Sequence, residues 1–338
     1  MKELCVSKKE VGRAGERVVA SYVQKIKYNE QDVKILHDWR MLHLYPLNKV
    51  KYYLNREAVR VNKNALVSSR IKRLPSIVAK LSRFPDMRLH KMQDLGGCRA
   101  IVDNLNQVYE LVNNIKRLRT KHEICREDNY MVNFKDSGYR SYHIVYSFVN
   151  DKYMFLNGLR VEVQIRTAMQ HSWATAVEMV GLFRKEQLKS SFGDIEWLHF
   201  FKLVSELFYN IESGKITGSY IRTSEELKVL SEKLRVFDML SAYNKAVHII
   251  DGSEKYKDGL CVILVDTNSK EIKISGFDSS SHSKASKFYF EQEKYCSDNE
   301  GCEVAMVSVS SIGDLKNAYP AYLLDTRTFL NNLGRFVF

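Results

Sequence analysis

The sequence contains few residues that interrupt regular structure. Only 16 glycines and four prolines occur among its 338 residues, roughly half of their usual share. Low-complexity linkers, collagen-like repeats and long disordered tails do not fit this composition. Because 45% of the residues are hydrophobic, the chain can bury sizeable cores, and its length predicts two domains.

Cysteine is also sparse. The six cysteines include no CxxC pair, so neither a zinc ribbon nor a thioredoxin-like redox site is supported. His122 and Cys125 have the spacing of half a metal site, but no second pair follows. The first residues form no apolar signal segment, and no run of 18 apolar residues occurs. We therefore expect a cytoplasmic protein that does not contact membranes.

Positive charge is concentrated in the first third of the chain. Residues 1–100 carry 22 lysines and arginines against nine acidic residues, so their net charge is +13, whereas the whole chain has +12. Such a one-sided excess indicates an anionic partner, a nucleotide or a nucleic acid, although solubility explains it almost as well.

Hydrophobic periodicity predicts helices first and a mixed pattern afterwards. We expect two helices over residues 10–63 and a short one over 74–84, which begins near Pro75. A further helix is predicted for Asn104–Leu118. Stretches rich in β-branched and aromatic residues predict the strands Cys98–Val102, Tyr142–Val149, Tyr153–Leu156 and Arg160–Arg166. This order predicts an α+β fold, with a mixed sheet flanked by helices.

The second half of the chain is predicted to be helical at first and then mixed. The expected helices are Ala168–Phe183, Ile195–Ile211 and Thr223–Ile249. After Asp251 we expect a hairpin (Leu260–Val265 and Glu271–Gly276), a helix (Lys284–Tyr295), a strand (Glu303–Ser310) and closing helices within Leu315–Leu333. The predicted units are N-terminal helices (1–65), a core (66–190), a helical connector (191–250) and a small C-terminal α+β module (251–338).

The first of four candidate functional segments is a basic stretch that begins at Arg70. At helical spacing, cations and one hydroxyl share a face that can neutralise a triphosphate. A solvated basic face would give the same pattern. The residues concerned are Lys72 or Arg73, Ser76, Lys80 and Arg83.

The second segment runs from Asp94 through Gly96 and Gly97 to Arg99 and enters an apolar run. Paired glycines beside a strand allow a ligand to approach the backbone closely. Asp94 could hold Mg²⁺, and Arg99 could lie against an aromatic base. A turn with a surface ion pair is the alternative.

The third segment is Ser137–His143, with the sequence SGYRSYH. Gly138 directly precedes Tyr139 and would present that ring on a loop, where it can stack on a base. A tyrosine that fills a strand-edge contact is the alternative.

The fourth segment is Arg160–Thr167, with the sequence RVEVQIRT. Strand alternation places Glu162, Gln164 and Arg166 on one face. Three polar side chains on one strand face are costly unless that face is wet or lines a site. A functional interpretation is favoured here.

Together, the motifs RxKxxxSIxxKL, DxGGxR, GYRSYH and EVQIRTxxxHxWA resemble the pyrophosphokinase (synthetase) domain of the RelA/SpoT family, over roughly residues 40–190. The resemblance implies a nucleotidyltransferase-like mixed sheet. It also implies transfer of the β,γ-pyrophosphate of ATP to the 3′-hydroxyl of an acceptor nucleotide, with Mg²⁺ as cofactor and AMP as the second product.

The resemblance implies roles for the residues that match these motifs. Arg70 and Arg99 would sandwich the adenine of ATP, and Lys72, Lys80 and Arg83 would contact its phosphates, with Ser76 also at the ATP site. Asp94 and Glu162 would be the catalytic carboxylates and hold Mg²⁺, and Glu162 would accept the proton of the attacking hydroxyl. The implied acceptor-binding residues are Tyr139, Arg140, His143, Gln164 and Arg166.

Two histidines are ambiguous. His171 would lie near the site, although a packing role at the start of a helix, shared with Trp173, is an equal alternative. His37 and Asp38 raise the question of the hydrolase half of long family members. That half needs further His and Asp ligands over a longer segment, so we interpret the pair as helix surface.

The C-terminal module contains Tyr319-Pro-Ala-Tyr322. This YxxY element is similar to that of the fused toxin–antitoxin members known as CapRel. The resemblance implies a toxic synthetase that pyrophosphorylates the 3′-end of tRNA and blocks translation. It also implies an antitoxin module in cis, whose Tyr319 and Tyr322 cover the ATP site until a phage protein releases it. Two tyrosines that pack a terminal helix are the alternative.

Three functions are therefore open. The leading hypothesis is a tRNA-directed pyrophosphokinase with a built-in inhibitor, because the basic surplus exceeds what a nucleotide pocket needs. The alternative is an alarmone synthetase that makes (p)ppGpp from ATP and GTP or GDP. A catalytically inactive regulator is the third, and intact Asp94, Tyr139 and Glu162 argue against it. The surplus includes Lys25, Lys27, Lys49, Lys51, Arg56, Arg60 and Lys63.

Overall fold

The computed structural model describes residues 6–184, 186, 188, 191–214, 218–245, 248–251, 259–266, 268–269, 271–278, 280–299, 301–309, 312–321, 323 and 325–337. The helices are α1 (Lys8–Val23), α2 (Glu30–Leu42), α3 (Leu44–Val61), α4 (Leu74–Arg83), α5 (Leu105–Lys116), α6 (Ala168–Arg184), α7 (Ile195–Glu212), α8 (Gly218–Lys233), α9 (Val236–Lys245), α10 (His282–Asp298), α11 (Ile312–Ala318) and α12 (Arg327–Val337). The strands are β1 (Leu66–Ile71), β2 (Gly96–Val102), β3 (Glu123–Asn129), β4 (Tyr142–Ser147), β5 (Arg160–Thr167), β6 (His248–Asp251), β7 (Gly259–Asp266), β8 (Glu271–Asp278) and β9 (Cys302–Ser308).

These strands form a single mixed sheet, in the order β3-β4-β5-β2-β1-β9-β7-β8-β6. Strands β2 and β5 are parallel, whereas β1 is antiparallel to both β2 and β9. The predicted α+β class with a mixed sheet is confirmed. The predicted C-terminal module does not form a separate sheet, because β9 pairs with β1 at Ser69–Ser308 and Arg70–Val307.

One face of the sheet, the back face, is covered by α3, α5 and α10. Leu47, Val50 and Leu54 recur at helical spacing along α3 and are almost completely buried. Tyr289 of α10 lies in the same core. A continuous apolar core therefore joins the first and last thirds of the chain.

The opposite face, the front face, is chemically divided. Alternation along β5 turns Glu162, Gln164 and Arg166 to it, as predicted. The register carries this face across the sheet to Val307 of β9 and Ile263 of β7. Helices α6 and α11 pack over it.

Helices α6 to α9 form a second layer with a strongly aromatic core. Trp197, Phe201 and Phe208 of α7 are buried there. Phe329 of α12 joins them, since α12 packs on α6, α8 and α9. The last helix therefore belongs with the helical layer and not with the strands that precede it.

Several predicted elements differ from the structure. Residues 10–63 form three helices, because Asn29 caps α2 through its side chain and the chain bends again at His43. The predicted strand at Tyr153–Leu156 is a short 3₁₀ helix, Met154–Leu156. Positive φ at Arg235 (49°) separates α8 from α9. Strands β1, β3 and β6 were not predicted, and the predicted helix Thr223–Ile249 is wrong at its end, because α9 ends at Lys245 and His248–Asp251 forms β6 beside β8.

Among the described residues, no helix is both long and apolar enough to span a membrane.

Candidate active site

Strands β1, β2 and β5 bring the candidate residues into adjacent rows of the front face. The register aligns Arg70 with Gly97, and Gly97 with Glu162. The next row aligns Arg99 with Gln164. Residues more than 90 positions apart in sequence therefore converge on one patch, which we call the polar patch.

Asp94 lies immediately before β2 and is held by two lysines. The Nζ atoms of Lys72 and Lys80 lie 3.0 and 2.8 Å from its Oδ2. Burial acts to raise the pKa of Asp94, but the two ammonium groups outweigh it, so the pKa lies below its ordinary value. Its Oδ1 is buried and has no hydrogen-bond partner within the described part of the chain.

Glu162 is fixed from both sides. His143 donates through Nδ1 to Oε1 at 2.9 Å, and Gln164 donates through Nε2 to Oε2 at 2.6 Å. Burial opposes ionisation, but these partners keep the pKa of Glu162 well below its ordinary value. Burial also lowers the pKa of His143, yet interactions with Tyr139 and Glu162 outweigh it and raise that pKa to about 9. The carboxylate is thus ionised and the imidazole protonated at neutral pH.

The two carboxylates fit a magnesium ion. Asp94 and Glu162 are close enough for each charge to influence the other, and the unpartnered Oδ1 of Asp94 is a ready oxygen ligand. Mg²⁺ prefers such ligands and usually keeps several waters, so two carboxylates suffice. In the described residues, no group of three or more His, Cys, Asp or Glu side chains could hold a metal.

The two arginines that would contact adenine already have partners. Arg70 Nη1 lies 3.7 Å from Glu178 Oε1 on α6. Arg99 and Arg166 both point their guanidinium groups at Nδ1 of His171, at 3.3 and 2.5 Å. Because both guanidinium groups are donors, this Nδ1 accepts, and the Nε2–H of His171 is left to donate elsewhere.

Arg166 was predicted at the acceptor, but its contact with His171 places it beside Arg99. Burial, followed by the charge of Arg99, lowers the pKa of Arg166 to about 9. Three arginines beside the carboxylate of Glu178 leave an excess of buried positive charge, which is costly, so this part of the patch is suited to an anionic or electron-rich ligand.

A segment from the C-terminal third lies directly on these arginines. The ring of Tyr319 faces the guanidinium of Arg99, whose Cζ is 5.2 Å from the ring centroid. The backbone oxygen of Asn317 accepts a hydrogen bond from His171 Nε2 at 3.0 Å. Tyr319 is 3% exposed. Tyr322, the second predicted regulatory residue, lies outside the described residues.

Tyr139 is buried and not presented on an open loop. Only 4% of it is exposed, and its hydroxyl lies 2.9 Å from His143 Nε2. Lys135 Nζ lies 5.3 Å from its ring centroid. Gly138 has a φ of +86°, and a Cβ there would come within 3.1 Å of the α7 backbone at Lys202. This glycine therefore permits the loop to pack on α7.

Arg140 is placed away from the polar patch. Its guanidinium lies between the rings of Phe134 and Tyr209, 4.2 Å from each centroid. It donates to the backbone oxygen of Met131 at 2.9 Å and to Ser205. These contacts give Arg140 a packing role, and its predicted contact with the acceptor stays a prediction.

The remaining ATP-site candidates lie along α4. Lys80 reaches Asp94, whereas Ser76 and Arg83 are half-exposed on the same helix. Arg83 lies over the ring of Phe192, with Cζ 5.0 Å from the centroid. Gly96 does not open the backbone to a ligand, since a Cβ there would meet His43 at 3.3 Å.

Sequence reasoning missed two kinds of residue. Glu178 follows His171 by seven positions, so both lie on one face of α6, and this spacing was the available signal. Asn317 gave no signal, because only its backbone oxygen is used. His37 was interpreted as surface but is buried, with Nε2 3.0 Å from Ser286 of α10.

A comparison with protein families finds a match in the part of the chain that carries this site. Residues 69–186 match the model of a region found in RelA/SpoT proteins. The residues of the polar patch, from Arg70 to Glu178, fall inside that range. The strands β6 to β9 and the segment that carries Tyr319 fall outside it.

Curated relatives match about a third of the chain. It is 31% identical over 111 residues to GTP pyrophosphokinase YjbM of Bacillus subtilis (strain 168), which covers 32% of this chain and 52% of that protein. It is 31% identical over 116 residues to GTP pyrophosphokinase YwaC of the same organism, which covers 32% and 53%. The chain thus spans about half the length of the curated relatives it matches.

Solved structures are also similar. The small alarmone synthetase 1 from Bacillus subtilis bound to its product pppGpp has 22% identity and a TM-score of 0.44, covering 55% of this chain and 96% of that chain. A GTP pyrophosphokinase family protein from Streptococcus pneumoniae has 24% identity and a TM-score of 0.42, covering 56% and 93%.

Proposed function

We propose that this chain is a pyrophosphokinase of the RelA/SpoT type. It transfers the β,γ-pyrophosphate of ATP to a nucleotide 3′-hydroxyl. The observation that carries the proposal is the pair of ionised carboxylates, Asp94 and Glu162, beside two lysines and a row of arginines. Pyrophosphoryl transfer depends on positioning and charge neutralisation, and this patch supplies both.

The reaction is an in-line displacement at the β-phosphorus of ATP. The acceptor 3′-oxygen forms a new bond to this phosphorus while the bond to the α-phosphoryl oxygen breaks, and AMP leaves. Mg²⁺, held by Asp94 and Glu162, would neutralise the phosphate oxygens. Lys72 and Lys80, which both bind Asp94, are also placed to contact the negatively charged oxygens of the triphosphate.

Glu162 is also the proposed acceptor of the hydroxyl proton. Its low pKa suits a metal ligand and makes it a weak base while both neighbours bind it. Withdrawal of the His143 hydrogen bond would raise that basicity. We therefore propose that His143 controls when Glu162 can accept a proton. Tyr139 and Gln164 would lie with it on the side of the acceptor.

Two acceptors are each favoured by a different observation. The 3′-terminal adenosine of tRNA is favoured by the charge of +13 in residues 1–100. GTP or GDP, giving (p)ppGpp, is favoured by the relatives, which are named GTP pyrophosphokinases.

We further propose that the C-terminal region inhibits the enzyme. Tyr319 occupies the face of Arg99 on which adenine would stack. In a toxin–antitoxin arrangement of the CapRel type, a phage protein would release this block in the cytoplasm. The same contact is expected whichever acceptor is used, because it concerns ATP alone.

Incubation of the purified protein with γ-labelled ATP, Mg²⁺ and either tRNA or GTP tests the reaction. We expect label on one acceptor, together with release of AMP. Glu162→Gln is the matched control and should transfer label at least about 100-fold more slowly. Transfer to GTP alone would exclude the tRNA proposal. If neither tRNA nor GTP is labelled, by the wild type or by Tyr319→Ala, the pyrophosphokinase proposal is contradicted.

A further inference from the structure

We propose that a short strap, Ile312–Ala321, opens the donor site by itself, while the chain on either side of it stays fixed to the rest of the molecule. The strap consists of α11 and the three residues that follow it. The term donor site rests on the proposed function. The mechanical claim rests only on how the strap and its flanks are attached.

The flank before the strap is part of the sheet. Strand β9 pairs with β1 on one side and with β7 on the other. Val304, Met306 and Val307 are buried on its two faces. Removal of β9 from β1 would uncover backbone hydrogen-bonding groups and both cores together.

A buried ion pair reinforces this flank on the back face. The carboxylate of Glu293 on α10 binds the guanidinium of Arg40 on α2 through both oxygens, and both side chains are almost inaccessible. Glu293 also accepts from the backbone N–H of Leu74, at the start of α4. Separation of α10 from α2 and α4 would leave the buried guanidinium of Arg40 without its counter-charge. It would also leave the backbone N–H of Leu74, at the start of α4, without its acceptor.

The flank after the strap is anchored in a different core. Phe329 and Leu333 of α12 are completely buried in the helical layer. The backbone oxygen of Phe336 accepts from Ser224 Oγ of α8 at 3.2 Å. The strap is therefore a link between two fixed points and not the edge of a detachable domain.

The strap itself is held by side-chain packing and is not part of the sheet. Its described front-face contacts include the burial of Leu315 and Ala318, the Tyr319 ring on Arg99, and the Asn317–His171 hydrogen bond. Helix α11 has seven residues, too few to be stable on its own. Local opening should thus require far less free energy than removal of either flank.

Hydrogen–deuterium exchange of the full-length protein tests this directly. Tyr319→Ala removes the ring contact, and Tyr295→Ala, an exposed tyrosine of α10, is the matched control. We expect at least tenfold faster exchange of strap amides in Tyr319→Ala, with unchanged exchange in β9, α10 and α12. The control should match the wild type throughout.

Two results would overturn the proposal. Faster exchange of β9, α10 or α12 together with the strap would mean that the region detaches as a unit. Unchanged strap exchange in Tyr319→Ala would mean that these contacts do not hold the strap closed.

A disulfide between β1 and β9 provides a second test, which does not depend on whether Tyr319→Ala folds. Ser69 of β1 and Ser308 of β9 are register partners, so Ser69→Cys with Ser308→Cys can form a disulfide. Cys98→Ala is included in this variant, because Cys98 is the register partner of Ser69 on its other side. Oxidation of this pair should leave exchange of the strap, with and without α,β-methylene ATP and Mg²⁺, as in the reduced form. Slower strap exchange on oxidation would contradict independent opening. Neither readout needs pyrophosphate transfer, so failure of that reaction alone leaves the strap inference standing.

Discussion

The two halves of the front face share one sheet but differ in chemistry. On β1, β2 and β5 the face carries Arg70, Arg99 and Glu162. On β7 and β9 the same face carries Ile263 and Val307, both completely buried. The polar half keeps charges that are costly in the absence of a ligand, whereas the apolar half stabilises the fold by burial.

This difference shows how the covering segment is positioned. Helix α11 lies over β1, and its Leu315 and Ala318 are buried in the apolar cluster formed by β7 and β9. The residue after the helix, Tyr319, then reaches the boundary between the halves and meets Arg99. The apolar half thus holds Tyr319 over Arg99, at the edge of the polar half.

The largest expected effect separates two glutamates of the front face. Glu162→Gln should lower the rate of AMP release by about 10²–10⁴-fold, because it removes the proposed metal ligand and proton acceptor. Glu303 faces the same side from β9, where it pairs with Arg73. Glu303→Gln should therefore keep the rate within about threefold of wild type. Equal losses in both variants would erase the distinction between the halves.

The next effect concerns the buried pair that fixes β9 and α10 to the rest of the molecule. Glu293→Ala should lower the free energy of unfolding by about 3–5 kcal/mol, since it leaves Arg40 buried without a counter-charge. The neighbouring Lys294→Ala removes an exposed pair with Glu30 and a contact with the Phe290 ring and should cost at most about 1 kcal/mol. Chemical denaturation measures both, and similar losses would argue against an anchored flank.

Acidic pH should weaken the same contact between α2 and α10, where His37 lies against Ser286. Burial, followed by the charge of Arg40, lowers the pKa of His37 to about 4. Between that value and about 6.5 the unfolded state binds more protons than the fold, so stability falls as the pH decreases. At pH 4.5 the cost is on the order of 2 kcal/mol.

His37→Gln should therefore flatten the dependence of the unfolding free energy on pH between 6.5 and 4.5. Part of the slope remains, since burial also lowers the pKa of His43 to about 4. His199→Gln, at an exposed histidine of α7, serves as the control. An unchanged slope in His37→Gln would mean that this imidazole is not buried in solution.

The smallest effect tests the apolar half alone. Ile263→Val should lower stability by about 0.5–1.5 kcal/mol and leave the affinity for α,β-methylene ATP unchanged. Arg99→Met should do the reverse, with loss of affinity and little loss of stability, because Arg70 and Arg166 repel Arg99. Thermal unfolding and calorimetric titration of both variants would show whether the two properties separate.

Much of the site was predictable because its signals are local. The alternation of β5 placed Glu162, Gln164 and Arg166 on one face, and that depends only on strand geometry. Strand β1 was missed because Leu66–Ile71 contains two serines and is followed directly by the basic residues Lys72 and Arg73. Its pairing with β9, more than 200 residues later, leaves no local trace.

Other features arise from contacts between distant segments. Arg140 stands next to Tyr139 in the sequence but is held between Phe134 and Tyr209, and no motif identifies the second of these rings. Gly138 was predicted to present the Tyr139 ring on a loop, whereas the structure uses this glycine for the close approach to α7. Sequence spacing predicted which residue types occur in the site but not which partners hold them.

The most direct test of the account is the affinity for α,β-methylene ATP in the presence of Mg²⁺, measured by calorimetry on full-length protein. If Tyr319 and adenine compete for Arg99, Tyr319→Ala should bind at least tenfold more tightly than wild type, or about 1.4 kcal/mol, and Tyr295→Ala should bind like wild type. Equal affinity in all three proteins would contradict a donor site covered by the strap.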